Sequence, residues 1–184
     1  MSLRLRLRED TQDAHARVDA FAARLDLSTP HGMTPFLQAN EMAYATCEER
    51  VPGLPLEIVA RRSLLLQDLA ALGERPLPAP LSGPAGALDA LGVTYVIAGS
   101  HLGARVLSRR WRQSDDARVL AAGRFLSDTG LVNVWERVRT RLESLSDQGP
   151  QADSVVASAR HCFSLFESAF SQACNPLVEI HDRS

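Results

Sequence analysis

The sequence predicts an all-α protein, a bundle of seven or eight helices in one domain spanning residues 1–184. Three observations carry this prediction. Apolar residues recur at intervals of three and four along most of the chain, the period of a helix with one buried face. Period-two runs of β-branched and aromatic residues are missing, apart from a short LRLRLR at the start. The segments between the periodic stretches are short and rich in proline and glycine, so they punctuate rather than separate domains.

The first helix is expected over about residues 3–25, with an apolar side of Leu7, Thr11, Ala14, His15, Val18, Phe21, Ala22 and Leu25. DLSTPHGMT ends it with loop chemistry. Thr34 reads as the N-cap of the second helix, with Pro35 at its first position. That helix carries Phe36, Leu37, Met42 and Tyr44 and stops at VPGLP. A third is expected over 56–72, and GERPLPAPLSGPAG after it is a connector. The fourth pattern, about 85–112, contains GVTYVIAGSHLGARVL and should break near its glycines. Further patterns cover about 115–128, 131–147 and 152–174, and the tail NPLVEIHDRS is expected to be loosely held.

Composition excludes some functions. With 45% hydrophobic and 23% charged residues the chain is an ordinary globular one, and a net charge of −2 offers no basic excess for nucleic acid. All 20 basic residues are arginine. The three cysteines, Cys47, Cys162 and Cys174, lack the spacing of a disulfide framework or zinc site and suit a reducing compartment. The N-terminus has arginines but no apolar signal core, and no apolar run is expected to reach the roughly 18 residues of a membrane span. The expectation is a cytoplasmic protein without a membrane span.

Two features stand out as chemistry. Gly99 and Gly103 fall about 40° apart on a helical wheel, so they leave one face of an apolar helix bare. Each costs a helix about 1 kcal/mol relative to alanine. Close packing against another helix and close approach of a flat ligand both account for the pair; Gly92 adds a hinge or cap at the helix start. The second feature is His15 on the apolar stripe of the first helix, where an imidazole must be satisfied or used. Asp19, one turn on, is placed to accept its Nδ1 proton and leave Nε2 as a neutral donor. Arg8 lies on the same side of that helix, and Arg137, Arg139 and Arg141 follow GLVNVW; guanidinium groups of this kind grip carboxylates or lie solvated. Other routes are absent from the sequence. There is no G-x-S-x-G elbow and no phosphate loop. His31, His101, His161 and His181 lack metal-ligand spacing, and Glu48–Glu49 lacks the Glu-x-x-His partners of a di-iron bundle.

LREDTQDAHARVD (residues 7–19) and GSHLGARVL (residues 99–107), in this order and at this separation, resemble the proximal and distal helices of the haem oxygenase family. Weaker similarity continues through RFLSDTGLVNVWERVRTRLESL and ARHCFSLFESAF. The resemblance implies the all-α haem oxygenase fold with a kinked, glycine-containing distal helix. It implies that His15 ligates haem iron and that Asp19 supports it. Gly99, Ser100 and Gly103 would form the distal face, Arg8 and Arg139 would hold the propionates, and Phe170 would stand in the pocket wall. It also implies the activity: oxidative cleavage of haem, both cofactor and substrate, to biliverdin, carbon monoxide and Fe2+. The reaction consumes O2 and electrons from a ferredoxin or flavin reductase. Where many relatives carry an acidic or amide residue on the distal helix, this chain reads Ala98, Ser100 and His101. On a regular helix His101 points away from the glycine face. The alternatives are a haem-binding protein that stores, carries or senses haem on the same fold and a helical protein of related shape that takes no haem.

Overall fold

The computed structural model describes residues 2–78 and 88–174, and within them the chain is helical with no strand. An isolated backbone bridge between Ser2 and Ser146 is all the extended pairing these residues show, so LRLRLR is helix, not strand. Part of the proline-rich connector and the tail, with His181, lie outside the described residues.

Nine helical elements occur among the described residues: α1 Leu3–Arg24, α2 Pro30–Arg50, α3 Leu56–Leu72, α4 Ala90–Gly99, α5 His101–Trp111, α6 Ala117–Ala121, α7 Arg124–Ser127, α8 Leu131–Glu143 and α9 Pro150–Cys174. The long α9 is the spine: α1, α2 and α4 all pack on it. Its inward face, Val155, Ala159, Cys162, Phe166 and Phe170, repeats at three and four and is buried.

Helix α2 begins five residues earlier than Thr34 and Pro35 suggest. Thr29 is the N-cap, its hydroxyl accepting from the Gly32 amide at 3.2 Å, and Pro30 holds the first position. Gly32 permits this start, because a Cβ there would stand 2.2 Å from the Asp26 carbonyl oxygen. Pro35 therefore sits inside the helix, and the carbonyl that its missing amide would serve belongs to exposed His31.

The stretch expected as one helix over 115–128 is two short ones. Gly123 interrupts it, since a Cβ at that position would lie 1.8 Å from the Trp111 ring. Trp111 is fixed there by donating from Nε1 to the Val119 carbonyl at 2.6 Å. The amides that open α7, Arg124 and Phe125, donate to the fully buried carboxylate of Asp68 at 3.1 and 2.9 Å. Burial pushes that carboxyl upward, against the opposing pull of the two amides.

The glycine-containing helix breaks where expected. α4 ends at Gly99 and α5 starts at His101, with the Ser100 amide shared between the Val96 and Ile97 carbonyls. Gly92 is neither hinge nor cap. A Cβ there would come 2.3 Å from the Val155 carbonyl oxygen, so α4 and α9 touch backbone to backbone. Taken together, Ala90–Trp111 is 22 residues long and, by length and composition, apolar enough to cross a membrane. That corrects the expectation from hydropathy, because Arg105 alone carries full charge in residues 90–107. In this fold its α4 half spends that apolarity on the core, with Val93, Val96, Ile97 and Ala98 buried.

Candidate functional site

A cavity of about 530 Å3 opens between α1 and the kinked α4–α5 segment and runs inward to α2, α3 and α9. That volume lies in the range of a small-molecule or cofactor site. Arg8, His15, Asp19, Gly99, Ser100, Gly103 and Phe170 all line it, so seven of the eight residues singled out from sequence converge. Arg139 does not line it. It stands on the outer side of α8, its guanidinium 2.6 Å from Glu136 one turn away, because the buried stripe of α8 is Leu131, Val134, Val138 and Leu142.

His15 lies on the wall that α1 contributes, and its side chain is 60% exposed because the cavity opens to solvent there. Its ring packs 5.6 Å from that of Phe163. Asp19 is its partner, as expected, but through the other nitrogen: Nε2, not Nδ1, lies 3.4 Å from Asp19 Oδ2. Nε2 is the outer ring atom, and only it reaches a side chain one turn further on. The contact is long and exposed, so it restrains the ring only weakly. Arg8 lines the same open end and makes no ion pair among the described residues.

The two glycines of the facing wall do different work. A Cβ at Gly99 would meet the Trp135 ring at 3.3 Å, so Gly99 makes room for packing. A Cβ at Gly103 would meet nothing within 4 Å, so its bare backbone faces the open cavity. Packing therefore accounts for one glycine and leaves the other to the site. Ser100 lines the cavity but turns its hydroxyl back, donating to the Ile97 carbonyl at 2.7 Å. His101 is held off the site: its Nδ1 lies 2.7 Å from the Ala98 carbonyl oxygen and its ring sits 6.1 Å from that of Trp135.

The buried end holds residues that sequence reasoning passed over. Arg61 is 4% exposed, and it donates to the Tyr44 hydroxyl at 3.2 Å, to Asp128, and to the Phe125 carbonyl at 3.3 Å. Its guanidinium also lies 4.2 Å over the Phe125 ring. The signal was there to read: Ile58, Arg61, Leu65, Leu69 and Leu72 form one stripe of α3, and a charge on an apolar stripe must be paired. Burial raises the Tyr44 hydroxyl above the ordinary tyrosine range, and Arg61 opposes that rise.

Among the described residues no three His, Cys, Asp or Glu side chains gather as metal ligands. A lone imidazole holds a metal well only when the metal arrives with other ligands of its own, as iron does in a porphyrin. The donor set and the bare backbone opposite it fit such a planar group.

No protein-family model matches the sequence, and no curated protein matches it. Among solved structures, the NO- and CO-bound haem oxygenase from Neisseria meningitidis superimposes with a TM-score of 0.70 at 23% identity, over 95% of this chain and 92% of that one. The chain has the haem oxygenase fold. Within the haem oxygenase fold the kink at Ser100 is the feature that brings a glycine backbone to the cavity.

Proposed function

We propose that the protein binds haem in this cavity and cleaves it oxidatively to biliverdin, carbon monoxide and Fe2+, with O2 and electrons from an external donor such as a ferredoxin or flavin reductase. The observation that carries the reading is the pairing of the His15 imidazole with the open backbone at Gly103 on walls of one cavity of this fold. Haem, when bound, supplies both the iron that activates oxygen and the ring that is cut. His15 would be the residue that ligates the iron. Asp19, 3.4 Å from Nε2, would have to give up that nitrogen before it could ligate the iron. Gly103 would let the facing backbone approach the plate closely. Arg8 takes a propionate at the open end through its planar fork. Phe170 and its aromatic neighbours exclude water from the ring. Arg139, spent on Glu136, has no part in this reading, so Arg8 is the propionate contact that remains.

The test is to add hemin, then ascorbate in air, and follow the visible spectrum. A Soret band that forms and decays into biliverdin absorption is the expected result; no Soret shift overturns the reading. A Soret band that forms and persists favours a haem carrier or sensor. One observation speaks for that second reading: Ser100 has turned its hydroxyl away to the Ile97 carbonyl, so it offers no free proton to the cavity.

A further inference from the structure

The hydroxyl of Tyr44 carries a proton that no acceptor among the described residues takes. Arg61 has no acceptor atoms, so in the 3.2 Å contact between Nε and the Tyr44 oxygen the phenol must accept. Its own proton then points elsewhere, and no acceptor among the described residues takes it. The ring cannot swing away. Phe125 and Phe166 stand edge-on to it, at 5.8 and 6.1 Å between centroids and 82° and 87° between planes. Arg61 is itself pinned by Asp128 and the Phe125 carbonyl. Both Tyr44 and Arg61 line the cavity while being almost wholly buried.

One turn before Tyr44 on α2, Asn40 also lines the cavity. Its Nδ2 donates to the Phe36 carbonyl at 2.8 Å, which leaves Oδ1 as an acceptor. The buried end thus offers one donor and one acceptor from α2, set in aromatic surroundings. Ser100, on the glycine helix, offers no proton of its own.

We propose that Tyr44 is the cavity's hydrogen-bond donor to a small oxygen-containing ligand, water or O2, at its buried end, with Arg61 a positioning residue that fixes the phenol in that role. The inference rests on the haem reading and deepens it: the polar group that meets the small ligand comes from α2 and α3, not from the glycine helix.

The experiment loads wild type, Tyr44→Phe, Arg61→Met and the double variant with hemin. It measures hemin affinity by the Soret band, sodium azide affinity of the ferric form, and the stretching frequency of carbon monoxide on the ferrous form. Tyr44→Phe keeps the ring and its packing, so hemin affinity should hold. Azide affinity should fall about tenfold, the worth of one hydrogen bond in a dry site. The carbon monoxide stretch should rise, because a donor to its oxygen has been removed. Arg61→Met should weaken azide less, and should add nothing in the Tyr44→Phe background, since it acts only through the phenol. Circular dichroism separates misfolding of Arg61→Met from this effect, and Tyr44→Phe carries the test alone if that variant does not fold. Unchanged azide affinity and an unchanged stretch in a hemin-bound Tyr44→Phe protein overturn the proposal and leave the haem reading standing. Wild type that takes up no hemin overturns both.

Discussion

The two ends of the cavity are built on different terms. At the open end His15, Asp19 and Arg8 are exposed, and one 3.4 Å contact is the polar restraint on the imidazole. At the buried end Tyr44, Arg61 and Asp128 are locked to one another, and the neighbouring Asp68 is tied to the amides that start α7. The contrast shows how the cost of the site is divided. The groups of the open end are exposed and weakly tied, so they add little to stability. The buried end is ordered by the fold itself, and disturbing it disturbs the fold.

The buried charge and the glycines test this contrast most severely. Arg61→Ala should cost about 3–5 kcal/mol in denaturant unfolding, as it leaves Tyr44 and Asp128 without their partner. Gly92→Ala should destabilise the protein by about 3 kcal/mol or prevent folding, because the added methyl collides with the Val155 carbonyl, which is backbone and cannot move aside. Gly103→Leu should leave thermal stability near wild type and weaken hemin binding by at least about tenfold, since its side chain fills open cavity. A melting curve and a Soret titration on both glycine variants decide it; equal stability losses would end the distinction.

At the open end the order reverses, with binding lost and stability kept. His15→Ala should reduce hemin affinity at least about a hundredfold while shifting unfolding by less than about 0.5 kcal/mol, as befits an exposed side chain. A large stability loss would show that His15 is a structural residue. Arg139→Ala should change neither quantity, and a weakened hemin titration would restore it to the site.

The smallest effect concerns pH. The folded state holds the Tyr44 phenol above its ordinary value, chiefly through burial, so it binds that proton more tightly than the unfolded chain does. The stability this represents is fully present below about pH 10, the unfolded tyrosine value, and is lost as pH rises through the raised folded value. Alkaline unfolding of Tyr44→Phe should therefore begin at higher pH than that of wild type, seen by circular dichroism. Coincident curves would mean that Tyr44 does not ionise in the unfolding range.

Much of this was legible in the residues alone. Leu7, Thr11 and Ala14 at helical spacing required α1, and Gly73 required the stop of α3 at Leu72, where it takes a φ of 78°. Helical period is a local property, so local chemistry decides it. The same holds for the break at Ser100, which neighbouring glycines announced. What failed was whatever depended on a partner distant in sequence. Gly123 breaks a helix because Trp111 occupies its Cβ site; the early start of α2 is the exception, a local Thr29–Pro30 cap passed over for Thr34–Pro35.

The candidate site divides along the same line. That His15 and Asp19 share one face of a helix, and that Gly99 and Gly103 share another, follows from 3.6 residues per turn. Only the packed structure could say that Gly99 serves Trp135 while Gly103 serves the cavity, that Arg139 turns to Glu136, and that Arg61 reaches Tyr44 across two helices. Spacing along a chain sets which side chains share a face. What a face meets is set by the burial of apolar surface over the whole molecule, and that is a property no segment carries by itself.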